Sequence, residues 1–476
     1  MKPIRELARN NRLWIWVLIL IVVLSTSLRV YQYRSRMLWN VEQSLTFWNI
    51  EKTVKTNKFS LVGTHFFSLV NGAVYRAPFG DWFFALTSKV LGLKVSTLFY
   101  SMLAFSILNA VFCFLTCKKL KSIKTGLIAV LLWSVSWLVN RQEMQFWYAA
   151  LIIPVAGASI WLILGRDWKN TFKECFILGL ILGWGFSFHF VIVWFILGVV
   201  LYLISQSPRK MFQILIPIFV GLLLMFSTLI LFNFRHGQIM NNGLVNMFTG
   251  QAIKDSATLA DRIGVSYNTI NCLSGGLLNL PCSSPLPLVI LGIGTLVLWK
   301  MREFRIQKFL TFFVIQLTVS FIGLFYAGRL GYGSQHYILY MLPLIVMLGS
   351  LLLEWLLTLK MRPFVCLVLL IYVSSNFWQF SHFSDPNSYS QKEALAKYLY
   401  SIPKEQLTVK FMDEEVLAYS GVFYLTANEY GLPFYKISMV EKWAPDRPDV
   451  YASSITTLSI AGNAIKFGDT KLLIPN

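Results

Sequence analysis

Residues 1–28 read MKPIRELARNNRLWIWVLILIVVLSTSL. Lys2, Arg5, Arg9 and Arg12 lead into an uncharged, largely apolar run from Leu13 to Leu28. Secretory leaders also pair a basic flank with an apolar run, but here no small-residue cleavage site follows and more apolar runs come later. The stretch is therefore read as a retained first membrane helix whose basic end stays in the cytoplasm.

Outward from this helix the apolar pattern recurs. About 20 apolar residues cross the hydrocarbon core of a bilayer. Further runs lie near 95–117, 124–140, 148–165, 174–189, 190–206, 212–232, 285–300, 308–327, 337–359 and 363–380. The chain is thus read as an all-α polytopic membrane protein of about eleven transmembrane helices. Its composition agrees: 56% of the 476 residues are hydrophobic, 13% are charged, and the mean hydropathy is +0.60. Soluble domains carry about 25% charged residues, so a disordered chain and an ordinary cytosolic enzyme are excluded.

The net charge of +20 is read by position rather than as a nucleic-acid signal. Alternate loops are basic: Lys118, Lys119, Lys121 and Lys124; Arg166, Lys169 and Lys173; Arg209 and Lys210; Lys300, Arg302, Arg305 and Lys308; Lys360 and Arg362. Basic loops stay inside, so the N-terminus is expected in the cytoplasm and, with an odd number of spans, residues 381–476 outside the cell or inner membrane. The expected division is a transmembrane domain, 1–380, with outer loops 31–94 and 233–284, and a small extracytoplasmic α/β cap, 381–476. In the first outer loop, Leu38–Thr53 and Pro78–Leu93 mix aromatic and charged residues at helical spacing and predict interfacial helices. In the cap, a helix is expected over Ser390–Tyr400 and strands over Leu407–Met412 and Val422–Leu425.

Several chemistries are absent from the pattern. The five histidines never sit at ligand spacing with one another, so no metal site is expected, although a divalent cation is left open as a cofactor. There is no phosphate-binding glycine loop, and Gly328-Arg329-Leu330-Gly331-Tyr332-Gly333 reads as an outer turn. Cys113, Cys117, Cys175 and Cys366 lie in apolar runs and read as core residues. Cys272 and Cys282 share a polar segment, which leaves one disulfide open in an oxidising compartment. No internal repeat is visible.

The first outer loop departs from the positive-inside pattern, with eight basic residues against Glu42, Glu51 and Asp81. Its cations either meet lipid head groups or grip a phosphate at the membrane surface, a task that suits the planar fork of arginine. Glu42, in Trp39-Asn40-Val41-Glu42-Gln43, either accepts a proton from an attacking hydroxyl, binds a metal, or pairs with Arg34 or Arg36. Asp81 follows Arg76-Ala77-Pro78-Phe79-Gly80 and is either a helix cap or a second catalytic acid. Glu51 is expected to pair with a neighbouring lysine. The candidate binding residues are Asn40, His65, Arg76, Arg235, Arg329, His336 and Tyr337, all predicted on the outer face.

The order of these parts resembles the GT-C membrane glycosyltransferases, particularly the protein-mannosyltransferase-like and aminoarabinose-transferase-like members. The resemblance rests on the basic N-terminus, the single helix, and the long outer loop with its acidic motif. It continues in Lys58–Gly63, in Ala77-Pro78-Phe79-Gly80-Asp81-Trp82 with the run to Gly92, in His336-Tyr337 with Pro343, and in the C-terminal cap. It implies transfer of a sugar from a polyprenyl-phosphate donor to a glycan, lipid or protein acceptor on the outer side, with an outer-loop acid as general base and inversion at the sugar carbon. Where the family usually shows an Asp, this chain has Asn40, which leaves Glu42 as the first acid. The competing readings are a transporter or flippase for a lipid-linked or anionic solute, and an O-antigen polymerase or ligase-like protein.

Overall fold

The computed structural model describes residues 2–475, apart from 64, 70–71, 167, 170, 250–257, 328–334, 386–387, 404–406, 412–415, 434–436, 441–449, 454–461 and 468–469. Each of the eleven predicted spans is helical. Among the described residues six helices are long and apolar enough to cross a bilayer by themselves. A seventh is the pair Ile123–Val135 and Trp137–Glu143, bent by 66° where Ser136 leaves helical geometry and caps the second helix. Tyr148–Leu164, Ile192–Gln206 and Leu286–Trp299 are shorter apolar helices.

The helices differ in what they face. His336–Thr358 is almost wholly enclosed, whereas Leu13–Val30, Pro208–Arg235 and Arg362–His382 turn most of their apolar surface outward. An apolar helix whose outer face meets no protein is stable only where lipid replaces water. Inside the bundle, Arg29 of the first helix meets Glu143 at 2.5 Å, both buried, and Ser106 donates to the same carboxylate oxygen at 2.6 Å. A charge held this way is already neutralised within the protein.

Both helices expected within 31–94 form, over Val41–Thr56 and Phe79–Leu91. Between them runs an antiparallel hairpin, β1 (His65–Leu69) and β2 (Gly72–Tyr75). The segment 233–284 carries the helices Ile239–Thr249 and Leu259–Leu278. The second of these buries Thr269, Ile270, Asn271, Leu273 and Leu277.

The C-terminal part contains five strands: β3 (Leu407–Phe411), β4 (Ile437–Val440), β5 (Val450–Ser453), β6 (Gly462–Phe467) and β7 (Thr470–Pro475). Their order is β4-β3-β5-β7-β6, parallel around β3 and antiparallel around β7. The helix predicted at Ser390–Tyr400 is present as Tyr389–Ser401. Val422–Leu425, expected as a strand, instead lies within the helix Val416–Tyr430. Val422, Phe423 and Leu425 are all buried there, and a four-residue apolar run does not by itself distinguish the two conformations.

This part grips the first interfacial helix. Arg34 bonds Glu393 at 2.8 Å and Glu429 at 2.6 Å, Tyr389 donates its backbone N–H to Met37, and Trp48 Nε1 donates to Ser420 Oγ at 2.9 Å. Trp39 is fully buried between Phe146 and Tyr389. One expectation about cysteine needs correction. Cys366 is exposed on an outward-facing helix rather than in the core, since an apolar membrane helix need not bury every apolar residue in protein. Cys272 and Cys282, where the sequence leaves a disulfide open, are free thiols.

Candidate active site

Asp81 occupies the first turn of Phe79–Leu91 but does not cap it; Pro78 is the N-cap residue and no side chain bonds there. The carboxylate instead turns into the protein, 4% exposed. One oxygen accepts a hydrogen bond from Tyr148 Oη, and the other faces Asn49 Nδ2 at 3.4 Å. A Cβ on Gly63 would stand 3.2 Å from that second oxygen and 3.3 Å from the Ala77 carbonyl, so a glycine here eases the close approach of the loop to Asp81. Gly63 N–H donates to the Arg76 carbonyl at 2.8 Å and fixes that closure.

Arg76 is buried beside this acid. Its guanidinium lies 4.6 Å from the centre of the Tyr148 ring and reaches the Phe188 carbonyl at 3.4 Å. Burial raises the Asp81 pKa above the ordinary carboxylate value, and the Arg76 charge opposes that rise. Burial likewise lowers the Arg76 pKa, against the pull of Asp81 and, more weakly, of Glu42.

Glu42 is the exposed member of this electrostatic group. It sits in the first turn of Val41–Thr56 and, among the described residues, no hydrogen bond or ion pair engages its carboxylate. The pairing with Arg34 or Arg36 does not form. Arg34 is taken by Glu393 and Glu429, and Arg36 is buried against the Phe380 carbonyl. Asn40 is the N-cap of the same helix: its Oδ1 accepts from Glu42 N at 2.9 Å, and Gln43 Oε1 accepts from Asn40 N at 3.0 Å. That reciprocal cap fixes the backbone from which Glu42 projects. Glu51 pairs with Lys55 at 2.5 Å, as expected.

Beyond Phe188 the helix Phe172–Phe188 ends, and His189 begins a short break before Ile192–Gln206. The His189 ring is 5.7 Å from that of His336, which lies 4.1 Å from Tyr337 and 4.9 Å from Trp147. Three segments far apart in sequence therefore meet beside Arg76. Arg235 is exposed at the end of Met211–Arg235, outside this cluster, although Phe232 one turn earlier packs on Tyr75. His65 lies in β1, its side chain outside the described residues, as is all of Arg329. No group of three or more potential metal ligands occurs among the described residues.

The sequence reading did not single out Asn49, Tyr148 or His189 for this site. Tyr148 and Asn49 carry no signal that separates them from other aromatic and amide residues. His189 did: it is a polar residue inside an apolar stretch that otherwise hardly pauses from Cys175 to Ile204.

A similar fold occurs in solved structures. ArnT from Cupriavidus metallidurans bound to undecaprenyl phosphate superposes with a TM-score of 0.60 at 10% identity, over 96% of this chain and 97% of that one. Its apo state gives a TM-score of 0.62 at the same identity and coverage. The chain has the fold of the GT-C membrane glycosyltransferases. Residues 75–232, which carry Arg76, Asp81, Tyr148 and His189, match the family described as dolichyl-phosphate-mannose-protein mannosyltransferase. The archaeal oligosaccharyltransferase AglB from Archaeoglobus fulgidus, in complex with an inhibitory peptide and a dolichol-phosphate, is similar at a TM-score of 0.50 and 12% identity, over 90% of this chain and 64% of that one. No curated protein sequence matches the chain significantly.

Proposed function

We propose that this GT-C protein is an integral-membrane glycosyltransferase that moves a sugar from a polyprenyl-phosphate donor to an acceptor hydroxyl on the extracytoplasmic side. The observation that carries the reading is the buried Arg76–Asp81–Tyr148 group at the start of an interfacial helix whose other face walls an apolar groove. Phe79, Trp82, Phe83 and Leu86 of that helix, with Ile181, Trp184 and Met225, line a shallow, open apolar depression of about 450 Å³. A lipid-linked donor needs this pairing: a cation for the phosphate and an adjacent apolar surface for the prenyl chain.

In this mechanism Glu42 takes the proton from the acceptor hydroxyl. The hydroxyl oxygen bonds to the anomeric carbon as the bond from that carbon to the donor phosphate oxygen breaks, and the sugar inverts. The phosphate leaves on its carrier, with Arg76 and His336 placed to stabilise its charge. Tyr337, beside His336, belongs to the same donor region, and Asp81 positions Arg76 and Tyr148. Residues 1–380 form the transmembrane domain with a cytoplasmic N-terminus, and 381–476 form an outer cap over the first interfacial helix. A transporter reading finds less support, because Glu143 is locked to Arg29 and Glu354 accepts from Ser122 at 2.6 Å.

The test is incubation of the purified protein with labelled polyprenyl-phosphate sugars, scoring transfer to acceptor and release of polyprenyl phosphate. Neither binding nor turnover with any donor would sink the reading. The orientation is checked with a cysteine placed at Ser401; labelling in cells only after permeabilisation reverses it.

A further inference from the structure

A second cluster of cations lies at the far end of the bundle, unused by the proposed reaction. Lys119 ends the helix Val95–Leu120, Arg166 and Lys169 follow Ile152–Leu164, and Arg305 and Lys308 begin Phe304–Ala327. These five line one cavity of about 450 Å³, together with apolar residues that include Leu164 and Leu203. The helical stretch Tyr148–Leu164 runs from the candidate active site to this cavity, about 25 Å at 1.5 Å per residue. The two sites therefore lie towards opposite ends of this helical stretch, a separation comparable with the core of a bilayer, about 30 Å thick.

The neighbouring acids are spoken for. Glu303 is engaged by Lys121, and Glu174 is tied into the cap of Phe172–Phe188 by Thr171. Among the described residues no carboxylate pairs with Arg166, Lys169, Arg305 or Lys308; Asp167 lies outside those residues. Lys308 sits 4.4 Å from the Phe304 ring centre, and Arg305 donates to the Lys119 carbonyl at 3.1 Å, so both heads are held at the rim. Cytoplasmic placement accounts for cations in these loops, but not for five of them around one concavity. Like charges held this close repel, and a bound anion relieves that repulsion.

We propose that this cavity binds the phosphate head group of an anionic membrane lipid in the leaflet opposite the candidate active site. A lipid is favoured over a soluble phosphate by the mouth of the cavity, where Phe304 is 71% exposed. An aromatic ring there suits acyl chains beside the head group, and each lysine or arginine near an anionic surface adds to the attraction.

The test uses the full-length protein, delipidated in a neutral detergent, and measures its thermal midpoint and lipid affinity in mixed micelles. Micelles of phosphatidylglycerol are compared with phosphatidylcholine and with inorganic phosphate alone. Phosphatidylglycerol should raise the midpoint and phosphatidylcholine should not. Arg166 and Lys169 are exposed, so the double variant R166Q/K169Q should melt with the wild type in the absence of lipid. Loss of charge-assisted contacts should weaken its apparent affinity for phosphatidylglycerol about tenfold or more. Lys308→Gln provides an independent variant if the double one fails to fold, and Lys308→Arg should restore binding. Equal protection by phosphatidylcholine, equal protection by inorganic phosphate, or undiminished affinity in the folded variants would each overturn the proposal. None of these readouts involves sugar transfer, so its failure is separable from that of the proposed activity.

Discussion

Val41–Thr56 and Phe79–Leu91 both follow the first apolar helix, and each carries one acid in its first turn, Glu42 and Asp81. Glu42 ends up exposed, with no hydrogen bond or ion pair to its carboxylate among the described residues and with its helix capped by Asn40. Asp81 ends up buried between Tyr148, Asn49 and Arg76, with its helix uncapped by any side chain. The helix dipole favours a negative charge at both positions, so it does not separate them. What separates them is the surroundings: Glu42 is exposed, while Asp81 is buried with a protein donor at each oxygen. The first suits proton transfer and the second suits holding a cation and a phenol in place.

The sharpest way to break this contrast is to remove each acid's charge and compare transfer rates. Glu42→Gln should slow transfer by about 10²–10⁴-fold while leaving the thermal midpoint and donor binding close to wild type. Full turnover in Glu42→Gln together with a dead Asp81→Asn would exchange the two roles. Asn40→Asp, which keeps the cap and adds an acid beside Glu42, should preserve or raise activity.

Stability should show the opposite ranking. Asp81→Ala leaves Arg76 buried without its nearest counter-charge and Tyr148 without its acceptor, at a cost of about 3 kcal/mol or more. Thermal unfolding in detergent measures this, and an unchanged midpoint would place Asp81 outside the structural core of the site.

The pH dependence sharpens the same contrast. Burial raises the Asp81 pKa in the folded protein, so the folded state binds the proton more tightly than the unfolded chain. The stability from this group is fully present below the ordinary carboxylate pKa of 3.8 and falls as pH rises toward the folded value. Wild type should therefore lose stability relative to Asp81→Asn as pH rises through that window. A constant difference between the two would mean that Asp81 does not titrate there.

The smallest effect concerns the cap that holds Glu42. Asn40→Ala should cost about 1 kcal/mol and lower transfer modestly, because Glu42 keeps its charge but loses the fixed backbone beneath it. A transfer loss as large as that of Glu42→Gln would mean that Asn40 itself touches substrate.

Local pattern alone was enough for the membrane class, for where the apolar helices lie, for the helices Val41–Thr56 and Phe79–Leu91, and for the pairing of Glu51 with its neighbour. These follow from features local to the chain: apolar run length, loop charge and helical periodicity act within some twenty residues. It misread Val422–Leu425, because a short apolar run fits strand and helix alike, and Cys366, because an apolar run does not say whether lipid or protein will cover it. Only the tertiary structure decided which acid is buried and which is open. Arg76, Asp81, Tyr148 and His189 lie within the stretch 75–232, and His336 lies far beyond it, yet all of them meet at one end of the bundle. That meeting depends on helix packing, on the close approach permitted by Gly63, and on a break at His189 that turns the chain back into the site. Local pattern fixes which elements form; burial and electrostatics, which set what an acid can do, arise only when distant elements pack together.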